Sequence, residues 1–150
     1  MTPSVHPGQT AHPAPRAAAP RRAPDRFLRM VLRIDGASTA VMAAVLIAAC
    51  VPLGSATGMP VAFSTGFGLF QLGGAASLAL LAGYPVIPAG PVRAVVGVKL
   101  GCAVACGVVA GGDFVPLTRF GTVFMLVGAL VVGTYAVLER VGLRRTTASG

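Results

Sequence analysis

The sequence predicts an all-α, polytopic membrane protein, folded as a bundle of four transmembrane helices. The chain has no charged residue from position 36 to position 92, whereas one helical crossing of a bilayer needs only about 20 apolar residues. Hydrophobic residues make up 55% of the sequence, and the mean hydropathy is +0.80. A water-soluble domain of this size cannot bury so much apolar sequence, so a soluble fold is excluded.

Glycine and proline divide the apolar sequence into helices. Residues 53–60 and 83–91 separate the first three helices, because both residue types are disfavoured within a helix. Pro116 is expected in the first turn of the fourth helix, where its missing N–H costs nothing. The helices are predicted at about 27–53, 61–83, 92–111 and 116–141, within a transmembrane domain of residues 26–145.

The basic residues predict the orientation of these helices. Residues 1–25 are rich in Pro, Ala and Arg and are predicted to be a disordered basic tail, and residues 146–150 a second short tail. Ten arginines fall on the side that holds both tails, and only Arg119 falls on the other. Because Lys and Arg are enriched on the cytoplasmic side of membranes, both termini are expected in the cytoplasm.

The composition also indicates the source and the partners. Arg outnumbers Lys eleven to one, which is typical of GC-rich bacterial genomes and favours the bacterial plasma membrane as the location. The formal charge of +8 lies mainly near the chain ends, where it anchors a membrane protein. The expected partner is therefore the lipid bilayer, and no nucleic acid is expected.

A shift of 64 residues aligns the first predicted helix with the third. Arg29 falls on Arg93, and Val51-Pro52-Leu53 falls on Val115-Pro116-Leu117, within six identities in 25 positions. Chance in so biased a composition would give about two or three identities. The alignment predicts two helix hairpins that repeat in parallel about an axis along the membrane normal.

Asp35 and Lys99 stand opposite each other in this alignment. Both lie about 10–12 Å along their predicted helices, at about 1.5 Å per residue. A charge at mid-helix costs about 2.5–3.5 kcal/mol, so such residues usually pair inside the protein. Two interpretations of the pair are open: it forms a proton or solute site, or it only fixes the register of the helices. The second, structural interpretation is favoured, because pairing lowers the cost of both charges without a substrate. The candidate polar site consists of Asp35, Lys99, Gln71, Ser38 and Tyr135.

A second group of residues bears on redox or soft-metal chemistry. Cys102 and Cys106 lie one helical turn apart, on the face of Lys99. Together with Met42 they suggest a soft-metal or redox site. The spacing is not that of a CxxC motif and no predicted helix contains His, so small packing residues are the favoured interpretation. No cofactor and no metal ion is expected.

Glycines on the third predicted helix indicate close helix packing. Gly97 and Gly101 are four residues apart, as are Gly107 and Gly111. This spacing lets two helix backbones approach closely. The motifs predict contact within the chain or, as a homo-oligomer, between copies of it.

Four short segments resemble those of a known group of proteins. They are Leu32-Arg33-Ile34-Asp35, Pro52-Leu53, Val92-Arg93-Ala94-Val95-Val96 and Val141-Gly142-Leu143-Arg144-Arg145. Through them the chain resembles, over about residues 27–145, a family of small uncharacterised four-helix membrane proteins common in actinobacteria. The resemblance implies that other members of the family usually have Asn at the position of Lys99 and often have an aromatic residue at the position of Cys102. It brings no established activity, and the similarity to DoxX-like membrane proteins is one of size and layout only.

The sequence contains no pattern typical of an active site. It has no phosphate-binding loop, nucleophile elbow or paired catalytic carboxylates, so the protein is expected not to be an enzyme. The favoured function is a non-enzymatic structural or accessory membrane component. Two alternatives stay open: a proton-coupled small-solute transporter that uses Asp35 paired with Lys99, and a DoxX-like redox-associated membrane subunit that uses Cys102 and Cys106.

Overall fold

Five helices make up the part of the chain that the structure describes. The structure is a computed structural model, and it describes residues 23–112 and 114–148. No strand occurs in these two ranges, and every helix except the second is long and apolar enough to cross a membrane. The predicted fold class, an all-α multi-pass membrane bundle, is therefore confirmed. The helices are α1 (Ala23–Ala48), α2 (Cys50–Thr57), α3 (Val61–Gly83), α4 (Ala89–Gly111) and α5 (Arg119–Ala148).

Pro52 divides the first predicted helix into two. Proline has no N–H to donate to the carbonyl of Ala48, and its ring crowds that carbonyl, so the helix bends here. α1 ends at Ala48, and Ala49 has φ −108° and ψ 25° before α2 continues to Thr57. The prediction of one continuous helix over 27–53 was wrong for this reason.

The other long helices differ from the prediction only at their ends. α3 has the predicted bounds, whereas α4 begins three residues early, so Pro91 lies in its first turn. α5 begins at Arg119, which leaves Pro116 in the preceding loop rather than in the first turn as predicted.

The predicted tails are only partly within the described residues. α1 begins at Ala23, inside the predicted N-terminal tail, whose residues 1–22 lie outside the described ranges. α5 continues through position 141 to Ala148, so most of the predicted C-terminal tail is helical. Residues 149–150 also lie outside the description.

The long helices pack as two hairpins, α1 with α3 and α4 with α5. α1 also packs on α5, whereas α3 and α4 barely contact each other. The hairpins are those that the repeat predicts, and their origin by duplication stays a prediction. One side of the bundle, between α3 and α4, is consequently open.

Both ends of the described chain lie at the same end of the bundle. The guanidinium of Arg145 lies 5.5 Å above the ring of Phe27, and Gly142 of α5 packs against Leu28 of α1. We call this the arginine-rich end, because it holds most of the arginines of the described residues. They are Arg26, Arg29, Arg33, Arg93, Arg140, Arg144 and Arg145.

Arg29 joins α1 to the end of α3. Its Nη1 donates to the carbonyl oxygens of Ala82 and Tyr84, each at 2.6 Å, and its Nη2 donates to that of Pro85 at 3.1 Å. An ending helix leaves its last carbonyls without intrahelical donors, and its negative end attracts a cation. With 7% of its surface exposed, Arg29 is a buried structural residue.

At the opposite end, α2 and the start of α5 are in backbone contact. The backbone N–H of Thr118 donates to the carbonyl of Thr57 at 2.9 Å. The Thr118 hydroxyl accepts from the N–H of Gly121 at 3.0 Å, as an N-cap does. A Cβ on Gly121 would overlap the Thr57 carbonyl oxygen, so only glycine permits this approach. The contact closes the bundle end that lies away from the arginines.

Candidate functional site

Three charged side chains from three helices meet inside the bundle. The Nζ of Lys99 on α4 forms ion pairs with Oδ2 of Asp35 on α1 and, at 2.7 Å, with Oε1 of Glu139 on α5. Asp35 is 3% exposed and Glu139 is 0% exposed. The meeting of Asp35 and Lys99 that the sequence predicts is thus present. We call the three residues the carboxylate–lysine cluster.

Glu139 is the member of this cluster that sequence reasoning missed. The predicted fourth helix ends near residue 141, so it places Glu139 at the membrane surface. A charged residue next to Arg140 at that surface does not indicate a functional site. In the structure α5 continues to Ala148, so Glu139 lies well inside the helix. Its position four residues after Tyr135, on the same helical face, was the signal that could have found it.

The cluster contains two carboxylates but only one ammonium group. With all three groups ionised its charge is −1, and Oε2 of Glu139 is buried without a hydrogen-bond partner among the described residues. Oδ1 of Asp35 accepts a long hydrogen bond, of 3.5 Å, from the Thr39 hydroxyl. Leaving a buried charge uncompensated costs about 3–5 kcal/mol. The cluster is therefore one positive charge short of a stable arrangement.

The other predicted site residues surround one cavity beside the cluster. It has a volume of about 210 Å³ and lies between α1, α3, α4 and α5. Asp35, a member of the cluster, lines this cavity. The remaining predicted residues on its wall are Ser38, Met42, Gln71, Cys102, Cys106 and Tyr135.

The neutral polar groups on this wall differ in their availability. The Ser38 hydroxyl donates to the backbone carbonyl of Asp35 at 2.9 Å, so it is already used. Within the described residues, the side chains of Gln71 and Tyr135 make no hydrogen bond to protein. These two side chains can therefore form hydrogen bonds to a ligand in the cavity.

The gap between α3 and α4 forms a larger cleft, of about 560 Å³. Asp35, Gln71 and Lys99 line it, and the rest of its wall is mostly apolar. Gly73 and Gly74 have no atom within 4 Å of the place where a side chain would begin, which keeps the cleft wide. The cluster is buried and yet can be reached from the side of the bundle.

The cysteines contribute two half-buried free thiols to the cavity wall. Within residues 23–112 and 114–148, no three His, Cys, Asp or Glu residues form a group that could hold a metal ion. A soft-metal or redox role for Cys102 and Cys106 with Met42 stays a prediction.

The glycine motifs of α4 do not pack against the rest of the chain. None of the four glycines has an atom within 4 Å of the position that a Cβ would take. The part of the prediction that placed them in contacts within the chain was wrong, because α3 and α4 hardly meet. Contact between copies of the chain through Gly97, Gly101, Gly107 and Gly111 stays a prediction.

Comparison of the chain with protein-family models, curated proteins and solved structures gives no match. The resemblance to the actinobacterial membrane proteins therefore also stays a prediction.

Proposed function

We propose that this protein is a proton-coupled membrane carrier that exchanges a proton for a small organic cation at the carboxylate–lysine cluster. The observation that carries the proposal is Glu139, which is fully buried and whose Oε2 has no hydrogen-bond partner among the described residues. A pair that only fixed helix register would need one carboxylate for Lys99. The second carboxylate leaves an excess negative charge inside the membrane, which a bound cation neutralises.

Competition for this single excess charge provides the coupling. A proton on either carboxyl makes the cluster neutral, and so does an organic cation seated beside it. Because the two neutralise the same charge, binding of one favours release of the other, which is the requirement for exchange. Among the described residues, the titratable groups around the two spaces are those of the cluster itself, Cys102, Cys106 and Tyr135. From α3 the polar side chains there are the neutral Gln71 and Ser77.

The spaces beside the cluster suit an apolar cation. The cavity of about 210 Å³ exceeds the roughly 30 Å³ that one water molecule occupies in the liquid. Phe67, Phe124 and Tyr135 line it, and aromatic faces attract cations. The cleft between α3 and α4 provides a route for the solute from the side of the bundle.

The same proposal places the protein in a bacterial plasma membrane with both termini in the cytoplasm. The support is the arginine-rich end, which holds both ends of the described chain, while Arg119 lies at the start of α5 at the other end. Positive charge is enriched on the cytoplasmic side.

Glu139→Gln is expected to abolish exchange, because glutamine resembles a permanently protonated glutamic acid and leaves no excess charge to neutralise. Purified protein is reconstituted into vesicles that contain tetraethylammonium and a pH-sensitive dye, and these are diluted into buffer without tetraethylammonium. Efflux of this cation, which carries no titratable proton, should acidify the lumen with the wild-type protein. The Glu139→Gln vesicles should acidify at least about tenfold more slowly, since the removed group carries the exchanged charge.

Arg119→Gln provides the matched control, because Arg119 is exposed and lies at the opposite end of the bundle. Its vesicles should acidify like those of the wild type. Wild-type vesicles that acidify no faster than protein-free ones, or Glu139→Gln vesicles that acidify at the wild-type rate, contradict the proposal.

A structural or accessory role is the second candidate, and one observation favours it. The cluster ties α1, α4 and α5 together, and Arg29 ties α1 to α3. Every long helix is therefore held by Lys99 or by Arg29. If this is the whole function, Glu139→Gln changes the free energy of unfolding and has no exchange activity to lose.

A further inference from the structure

Three arginines line a separate pocket at the arginine-rich end. The pocket has a volume of about 360 Å³ and lies between α4 and α5, with Arg93 on one side and Arg140 and Arg144 on the other. The two residues of α5 are one helical turn apart and share a face. All three side chains are exposed, so a ligand can reach them from outside the bundle.

The wall of this pocket is apolar between the arginines. Val96 and Leu143 are 8% and 7% exposed and form its inner surface. Gly97 has no atom within 4 Å of the place where a Cβ would lie, which leaves room beside α4. The pocket therefore joins an apolar surface to a concentrated positive charge.

No acidic side chain of the described residues lines the pocket. Glu139 directly precedes Arg140 in the chain, but its carboxylate is buried on Lys99 in the cluster. Arg93 and Arg140 line the pocket from two different helices, and an anion bound between them would reduce the repulsion of their like charges.

We propose that this pocket binds the phosphate group of an anionic phospholipid. A guanidinium binds two phosphate oxygens at once, with a geometry that lysine cannot reproduce. Basic pockets between transmembrane helices are suited to lipid head groups. The acyl chains would follow the exposed face of α4 that carries Gly97 and Gly101. The proposal does not depend on cation exchange at the cluster.

The test compares lipid binding by the full-length protein and two double variants. Each is purified in a neutral detergent, titrated with phosphatidylglycerol or phosphatidylcholine, and examined by native mass spectrometry. The wild type should bind phosphatidylglycerol in preference to phosphatidylcholine. Arg93→Gln with Arg140→Gln should weaken phosphatidylglycerol binding roughly fivefold for each arginine removed.

Arg26→Gln with Arg33→Gln is the matched control. These two arginines are also exposed and lie at the same end of the bundle, but they belong to α1. This variant should bind phosphatidylglycerol like the wild type. Equal weakening in the two double variants would show general attraction to a positive surface and would overturn the proposal. If Arg93→Gln with Arg140→Gln loses its helical circular dichroism, Arg93→Lys with Arg140→Lys replaces it. The lysines keep the positive charge but cannot bind two phosphate oxygens at once, so binding should still be weakened.

Inorganic phosphate distinguishes the two sources of a phosphate group. Added to the complex at millimolar concentration, it should displace little phosphatidylglycerol, because it lacks the acyl chains that contact the apolar wall. Complete displacement would show that the pocket prefers a free phosphate compound, which would overturn the assignment to a lipid.

Discussion

Lys99→Met is expected to lower the free energy of unfolding by about 3–5 kcal/mol. The substitution removes the only ammonium group of the cluster and leaves Asp35 and Glu139 close together and buried. The carboxylate that Lys99 neutralised then lacks a counter-charge in a region where water cannot solvate it. The measurement is chemical denaturation of the purified protein in mixed micelles, with helical circular dichroism as the signal.

Neutralising the partners should recover most of this loss. In the Lys99→Met background, Asp35→Asn with Glu139→Gln removes both ionisable carboxyl groups, so the triple variant should be close to the wild type in stability. The recovery is the control, because a packing defect at position 99 would persist in the triple variant. A Lys99→Met protein as stable as the wild type would contradict the account of the cluster as one charged unit.

Arg29→Met should lower the free energy of unfolding by roughly 2–4 kcal/mol, since it deletes three hydrogen bonds from a charged donor. The carbonyls of Ala82, Tyr84 and Pro85 would lose these donors at the end of α3. Part of the loss is offset, because Nε of Arg29 is buried without a partner among the described residues. The same denaturation experiment measures the change.

Arg33→Met is the matched control for this prediction. Arg33 is one turn further along α1 and is exposed, so its replacement should change the free energy of unfolding by less than about 0.5 kcal/mol. Equal effects of the two substitutions would mean that the charge at this end of the bundle, rather than the contacts of Arg29, carries the stability.

The sequence predicted what depends on hydropathy along the chain. The membrane class and the bounds of α3 follow from long apolar segments and their Gly and Pro boundaries. The meeting of Asp35 and Lys99 follows from the high free-energy cost of isolated charges in a membrane, because pairing lowers this cost for both residues.

Other features depend on where helices end and on which helices touch. The bend before Pro52 and the extension of α5 to Ala148 are local events within apolar sequence. The extension moved Glu139 from an expected surface position into the core. The three bonds of Arg29 to a distant loop and the open side between α3 and α4 are tertiary features, which no pattern along the chain encodes.

The proposed exchange requires that the carboxylate–lysine cluster hold one exchangeable proton. Infrared titration of the wild-type protein and Glu139→Gln tests it directly, because the C=O stretch of a protonated carboxyl is distinct from that of a carboxylate. Exposed Asp and Glu side chains are ionised at neutral pH. In the wild type we expect a protonated-carboxyl band at neutral pH that disappears in alkaline solution, and in Glu139→Gln we expect no such band. A wild type without this band, or a band that persists in Glu139→Gln, would contradict the account.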